Sequence, residues 1–292
     1  MLVDVQIVNA FIDGATGGNP AGVVVDANNL TTAQKLEVAK QVGLSETAFV
    51  SESDSATVKL EFFTPTRQIA HCGHATIATF SLLRRLGVVS EGRLSKETID
   101  GNRDIFVDGD MAFMEQRAPE YTRVAAASEL GSRVISSIGL TKEHLRSGID
   151  PFVVDTGNSF LIVPLPDERV VTELQPEFDL VESLSEELDL VGYYVFSTTT
   201  KEQGRHAGAR MFAPRFGISE EAATGMAAGP LACFLHDYLG VEEREILIEQ
   251  GSLMDPPSPS LIRVILELAD GQISRLMAGG AAHVASSMQV EV

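Results

Sequence analysis

Apolar and polar side chains alternate through residues 4–11, and a Val-rich run resumes at residues 20–25. Period two is the signature of strands with one face against a core. Residues 44–50 pass from a polar turn into another such strand, and residues 58–63 supply one more. Between them Leu36, Ala39 and Val42 share a helical face, opened by a capping box at Thr31 and Gln34 and closed by Gly43. The pattern changes in the stretch that follows the Phe-Phe-Thr-Pro of residues 62–65. Ala75, Ile77, Ala78, Phe80, Leu82, Leu83 and Leu86 leave no polar face, which predicts a helix buried on all sides. Arg84 and Arg85 sit in its last turn and Gly87 stops it. Its first turn, at Cys72, Gly73 and His74, therefore offers unpaired backbone N–H groups to an anion, among unusually polar side chains.

Charged and Gly-rich turns follow, with a short strand expected around 105–107 and another at 111–116. Residues 119–126 read as a crossing between two halves. Helices are predicted at 128–138 and 181–188, a helical turn at 141–145, and strands at 152–154, 160–163, 193–196, 209–212, 246–250, 261–268 and 281–284. Few long helices, many strands and little βα alternation favour an α+β fold of curved sheets wrapping single helices.

The plan occurs twice. Met211-Phe212-Ala213-Pro214 mirrors Phe62-Phe63-Thr64-Pro65, and the small residues 222–229 mirror 72–78. Leu239-Gly240 mirrors Leu86-Gly87, and Gly157-Asn158 echoes Gly18-Asn19. Repetition at so long a period predicts two copies of one unit with an anion site where their helix starts converge. The expected lobes are residues 1–122, with a C-terminal strand at about 279–292 packing there, and residues 123–278.

Composition narrows the partners. With 292 residues, a net charge of −19 and a pI near 4.6, the chain lacks the basic patches that nucleic acid or anionic membranes require. Two cysteines without a Cys-x-x-Cys motif exclude a disulfide framework or zinc knuckle. The start of the chain reads as a strand rather than a signal peptide, so a cytoplasmic setting is expected.

Glu46, at a strand mouth among apolar residues, is a candidate acid/base whose pKa burial would raise; most such acids are simply solvated. His74 offers a neutral donor and acceptor at a helix start, or a histidine satisfied by backbone. His71 and His74 have no carboxylate beside them in sequence, and no metal site is expected. Cys72 would be an activated thiol if the helix dipole governs it, but a small buried cysteine is the preferred reading, because the corresponding place near Ala223 has no thiol. Glu220 and Glu221 precede the second helix, where the dipole favours acids; Arg210 and Arg215 would pair with them or with a substrate carboxylate. No cofactor fingerprint is present, so the chemistry on offer is acid–base.

Asn9-Ala10-Phe11 with Gly18-Asn19-Pro20-Ala21, Leu44-Ser45-Glu46-Thr47-Ala48-Phe49, Phe63-Thr64-Pro65 with Gly73-His74-Ala75-Thr76, residues 210–214 followed by 217–225, and Glu249-Gln250-Gly251 run in the order of one family. The chain resembles the PhzF family of phenazine-biosynthesis isomerase-like proteins, related to diaminopimelate epimerase. The resemblance implies two pseudo-symmetric lobes, each a curved, mostly antiparallel sheet around a central helix, with the active site between them and dimers common. It implies cofactor-independent proton transfer on a small, cyclic, unsaturated carboxylic acid. Glu46 takes the position of the proton-moving glutamate and His74 that of the family histidine, while Glu221 stands for an aspartate. Cys72, Gly73, Thr224, Gly225 and Met226 are the implied substrate contacts. Ala222 replaces a proline and Met226 a serine, so that hydrogen bond to substrate is lost. The alternatives are an amino-acid epimerase using Cys72 as a base, although a second thiol is missing, and a non-catalytic metabolite-binding protein.

Overall fold

The computed structural model describes all 292 residues. Strands β1 (Leu2–Ala10) and β2 (Asn19–Val24) precede α1 (Thr32–Val42), and β3 (Thr47–Ser51), β4 (Val58–Phe63) and β5 (Gln68–Ile69) lead to α2 (Gly73–Arg85). Three strands follow: β6 (Gly92–Thr98), β7 (Gly101–Asp108) and β8 (Met111–Arg117). The next part holds β9 (Glu120–Arg123), α3 (Glu129–Ser136), β10 (Phe152–Asp155), β11 (Ser159–Pro164), α4 (Glu168–Thr172), α5 (Phe178–Glu187) and β12 (Gly192–Ser197). It continues through β13 (Ala207–Ala213), β14 (Ile218–Glu221), α6 (Gly225–Leu239), β15 (Glu245–Gln250), β16 (Ser260–Ala269) and the long β17 (Gln272–Glu291). The chain forms two units, residues 1–115 with 279–292 and residues 116–278.

In the first unit β1 pairs antiparallel with β2, β2 parallel with β3, and β3 antiparallel with β4. Strand β4 then pairs parallel with β6, which starts an antiparallel run through β7 to β8. The end of β17 lies between β8 and β1 and closes the eight strands around α2. Gly279 permits that closure, since a Cβ there would stand 2.1 Å from the Ala112 carbonyl oxygen. Residues 74–83 of α2 are all buried, as an apolar surface without a polar stripe requires.

The second unit repeats the order. Strand β10 pairs antiparallel with β9 and β11, β11 parallel with β12, β12 antiparallel with β13, β13 parallel with β15, and β15 antiparallel with β16. A turn at Asp270 and Gly271, both at positive φ, passes the chain from β16 to β17. Helix α6 occupies the step that α2 occupies, and it too is buried along most of its length. The fold is therefore α+β and built from two pseudo-symmetric, mostly antiparallel units, each with a central helix.

Pairing registers turn this likeness into residue correspondences. Phe63 and Phe212 face Thr47 and Tyr193 respectively, so Glu46 corresponds to Gly192. Val58 pairs with Lys96 and Ala207 with Ile248, and both helices begin at a glycine the same distance upstream. His71, Cys72, His74 and Thr76 thus correspond to Ala223, Thr224, Met226 and Ala228.

Three expectations need correction. Residues 92–98, read as charged turns, form β6; β7 extends beyond 105–107; and the strand expected at 281–284 is part of a strand of 20 residues.

Candidate active site

Strand β3 and helix α2 bring three of the expected residues together in the first unit. Glu46 immediately precedes β3, and its carbonyl accepts from the Gly22 N–H at 3.1 Å, which anchors the acid to β2. Its buried Oε2 lies 3.3 Å from His74 Nε2. The other ring nitrogen, Nδ1, is 3.6 Å from the Cys72 thiol. His74 is thus held between an acid and a thiol, 5% exposed, on the second residue of a helix whose N-cap side chain has no oxygen to spend on capping. Gly73 opens that helix without a side chain to obstruct its N–H groups.

Burial decides the state of Cys72. It pushes the thiol pKa up, against the smaller lowering effect of His74, in keeping with the preferred reading of a small buried cysteine rather than an activated thiol. Thr224 stands at the corresponding place in the second unit, and the only other cysteine, Cys233, is buried inside α6. These facts oppose a two-thiol scheme.

The donor atoms of Glu46, Cys72 and His74 lie within 4.8 Å of one another. The carboxylate missing from the sequence neighbourhood of His74 is thus supplied in space, while His71 points elsewhere. Thiolate ligation works against the raised Cys72 pKa, and a cation would replace the existing Glu46–His74 contact.

His71 belongs to a neighbouring cluster that the sequence did not reveal. Lys96, with no solvent exposure, places Nζ 2.6 Å from Thr76 Oγ1 and 3.2 Å from His71 Nδ1. Burial, with the Lys96 and Arg103 charges, holds His71 down at about 3. Burial likewise brings Lys96 down to about 7.

In the second unit Glu221, Thr224, Gly225 and Met226 surround the start of α6. The Thr224 hydroxyl donates to Glu221 Oε2 at 2.5 Å instead of capping the helix. Gln250, 1% exposed, ties the segment down. Its Oε1 accepts from the Thr224 N–H at 3.1 Å and the Tyr194 hydroxyl at 2.8 Å, and its Nε2 donates to the Glu221 carbonyl at 2.7 Å. Gln116 donates to the Gly225 carbonyl at 2.9 Å. Asn158 Nδ2 donates to Met226 Sδ at 3.6 Å. Arg210 is spent on a two-pronged pair with Glu220, both contacts at 2.8 Å, and Arg215 on Asp189 at 2.9 Å. Of these partners, Gln250 stood inside a quoted motif, and Asn158 in the repeat of Gly-Asn; Lys96, Gln116 and Tyr194 carried no signal of their own.

Comparison with known proteins places this geometry among relatives. The family model described as phenazine biosynthesis-like protein, PhzC-PhzF, matches residues 8–287. The chain is 29% identical to an Escherichia coli O157:H7 protein named uncharacterized isomerase YddE, with 97% of each chain covered. It is 28% identical to the trans-2,3-dihydro-3-hydroxyanthranilate isomerase of Pseudomonas chlororaphis, with 94% of each covered. The crystal structure of a Bacillus anthracis phenazine biosynthesis protein of the PhzF family superposes with a TM-score of 0.89 at 26% identity, covering both chains completely. No helix of the protein is long and apolar enough to cross a membrane.

Proposed function

The chain belongs to the phenazine biosynthesis-like (PhzC-PhzF) family, and on that premise we propose a specific reaction for it. It is an isomerase that moves a proton within a small, cyclic, unsaturated carboxylic acid without a cofactor. The observation that carries this reading is the buried Glu46 Oε2 at 3.3 Å from His74 Nε2 at the start of a buried helix. A carboxylate held by a histidine can take a proton from carbon and return it. Glu46 removes a C–H proton beside a conjugated double bond, the electron pair moves along the conjugated system, and the carboxyl group, whose proton exchanges with solvent while it is held, delivers a proton to the far end. The double bond shifts, and no atoms are gained or lost. His74 orients Glu46 and shares its proton, and the N–H groups at Gly73 hold the substrate carboxylate.

Two second-unit assignments belong to the proposal. Glu221, oriented by Thr224, is a further acid/base candidate. Thr224, Gly225 and Met226 are candidate substrate contacts, the thioether being already engaged by Asn158. The relative from Pseudomonas chlororaphis supplies a probe by its name. Incubation with trans-2,3-dihydro-3-hydroxyanthranilate in deuterated water, followed by proton NMR, is expected to show an isomerised ring carrying deuterium. A chain that binds this acid or related cyclic carboxylates in a thermal-shift screen, yet exchanges no proton in any of them, would contradict the proposal and support the metabolite-binding alternative.

A further inference from the structure

Lys96 is a fully buried amine without an acid to pair with. Around it stand Thr76 from α2, His71 from the loop before α2, Phe62 of β4 with its ring centroid 5.1 Å away, and Met114 of β8 with Sδ at 3.9 Å. The titratable groups that act on it are His71 and Cys72 from that loop and Arg103 from β7. None is a carboxylate, so the amine's lost hydration is replaced only by two neutral hydrogen-bond partners, the Phe62 ring and the Met114 thioether, with no opposite charge.

The second unit shows that the fold does not need this amine. At the register position of Lys96 it has Ile248, and at the positions of His71 and Thr76 it has Ala223 and Ala228, all three buried and with apolar side chains. One architecture therefore accepts a wholly apolar version of the same place. The polar version exists only beneath the helix start that carries Cys72 and His74. Thr76 Oγ1 also donates to the Cys72 carbonyl at 2.6 Å, so two contacts run from the amine to that segment.

We propose that Lys96 is a positioning residue for the Glu46–His74 pair, holding the loop at His71 and the first turn of α2 in the register that puts the imidazole against the acid. This rests on the isomerase reading for its consequence in turnover, but not for the geometry it asserts. The amine acts at a distance: it touches neither Glu46 nor His74, and it orients the backbone from which His74 projects. A displacement of about 1 Å at a reacting group is enough to cost about 100-fold in rate.

The inference also has a stability signature. With the folded-state pKa depressed to about 7, the unfolded chain takes up the lysine proton at a higher pH than the folded chain does. The resulting destabilisation is complete below about pH 7 and disappears as pH rises towards the ordinary lysine value near 10.5. Lys96→Ile is therefore expected to raise the urea midpoint, and to raise it more at pH 6 than at pH 10.

The deciding experiment compares the wild type, Lys96→Ile and Glu46→Gln by NMR of the histidine rings across pH. Glu46→Gln defines the His74 signal without its acid. In Lys96→Ile the His74 resonances and their titration are expected to move towards that reference, while the urea midpoint holds or rises. Turnover of trans-2,3-dihydro-3-hydroxyanthranilate should fall about 100-fold in kcat. His74 signals and pH profile identical to wild type would overturn the proposal, whatever the turnover. If the wild type proves inactive on this acid, the isomerase reading fails while the ring titration still judges the positioning. Should Lys96→Ile not fold, Thr76→Ala removes one of the two tethers with little loss of volume, and the same shift is expected in smaller measure.

Discussion

The starts of α2 and α6 occupy the same step of the same strand order, yet their chemistry is opposite. At α2 the set is Glu46, Cys72 and His74, backed by Lys96, His71 and Thr76; at α6 the corresponding residues are Gly192, Thr224, Met226, Ile248, Ala223 and Ala228. The first helix start has titratable groups in contact with one another. The second has a fixed hydrogen-bonded framework centred on Gln250, whose amide satisfies Thr224, Tyr194 and the Glu221 carbonyl at once. Gly192 could not simply be exchanged for the acid, because a Cβ there would approach the Phe212 carbonyl oxygen to 2.4 Å. Duplication supplied one scaffold twice, and the polar machinery then diverged. One copy carries contacting titratable groups at its helix start and the other a fixed hydrogen-bonded framework.

Exchanging residues between the copies tests that contrast. The largest effect is expected from His74→Met, which gives the first unit the side chain of the second. It should lower kcat on trans-2,3-dihydro-3-hydroxyanthranilate by about 100- to 1,000-fold, the range for loss of an acid–base partner. Steady-state kinetics beside an unchanged circular-dichroism melt would establish it. The converse exchange, Ile248→Lys, buries an amine where the side chains of Ala223 and Ala228, unlike those of His71 and Thr76, carry no polar atom. A destabilisation of about 3–5 kcal/mol is expected at pH 7 from urea unfolding, as for an uncompensated buried charge. It should shrink as pH rises towards 10, when the unfolded chain also loses the proton.

A smaller loss follows from Gln250→Leu, which keeps the volume but removes the amide. The Thr224 N–H and the Tyr194 hydroxyl lose their acceptor, at a cost of about 2–3 kcal/mol in the same measurement. Cys72→Thr, another exchange with the sister position, should change least. The thiol is buried and its pKa raised, so kcat is expected to stay within about 10-fold of wild type. Complete loss of turnover with the fold intact would instead revive the thiol-base scheme.

The buried helices were legible because each combines an all-round apolar surface with a glycine at its start, a pattern only an enclosed helix tolerates. The capping box of α1 was equally local, and Thr31 and Gln34 do satisfy each other across the first turn. Strand β6 was obscured by its buried lysine. Gly-Arg-Leu-Ser-Lys-Glu-Thr reads as a solvated turn because lysine at a core position is rare, and Lys96 is that exception. The length of β17 was hidden by Gly279, Gly280 and neighbouring alanines, whose small side chains show no alternation although the pairing needs them small. For Cys72 two local effects compete, and burial exceeds the helix start by an amount that sequence cannot supply. The Glu46–His74 contact joins residues from different elements, so it was reachable from sequence only through family resemblance.

The most direct test of the account is deuterium wash-in. Wild type and Glu46→Gln are each incubated with trans-2,3-dihydro-3-hydroxyanthranilate in deuterated water, and ring deuterium is followed by NMR, with Glu221→Gln run alongside. The account predicts that Glu46→Gln slows incorporation by about 1,000-fold or more while its melting temperature is preserved. Incorporation at the wild-type rate in Glu46→Gln would contradict it and remove this carboxylate from the chemistry.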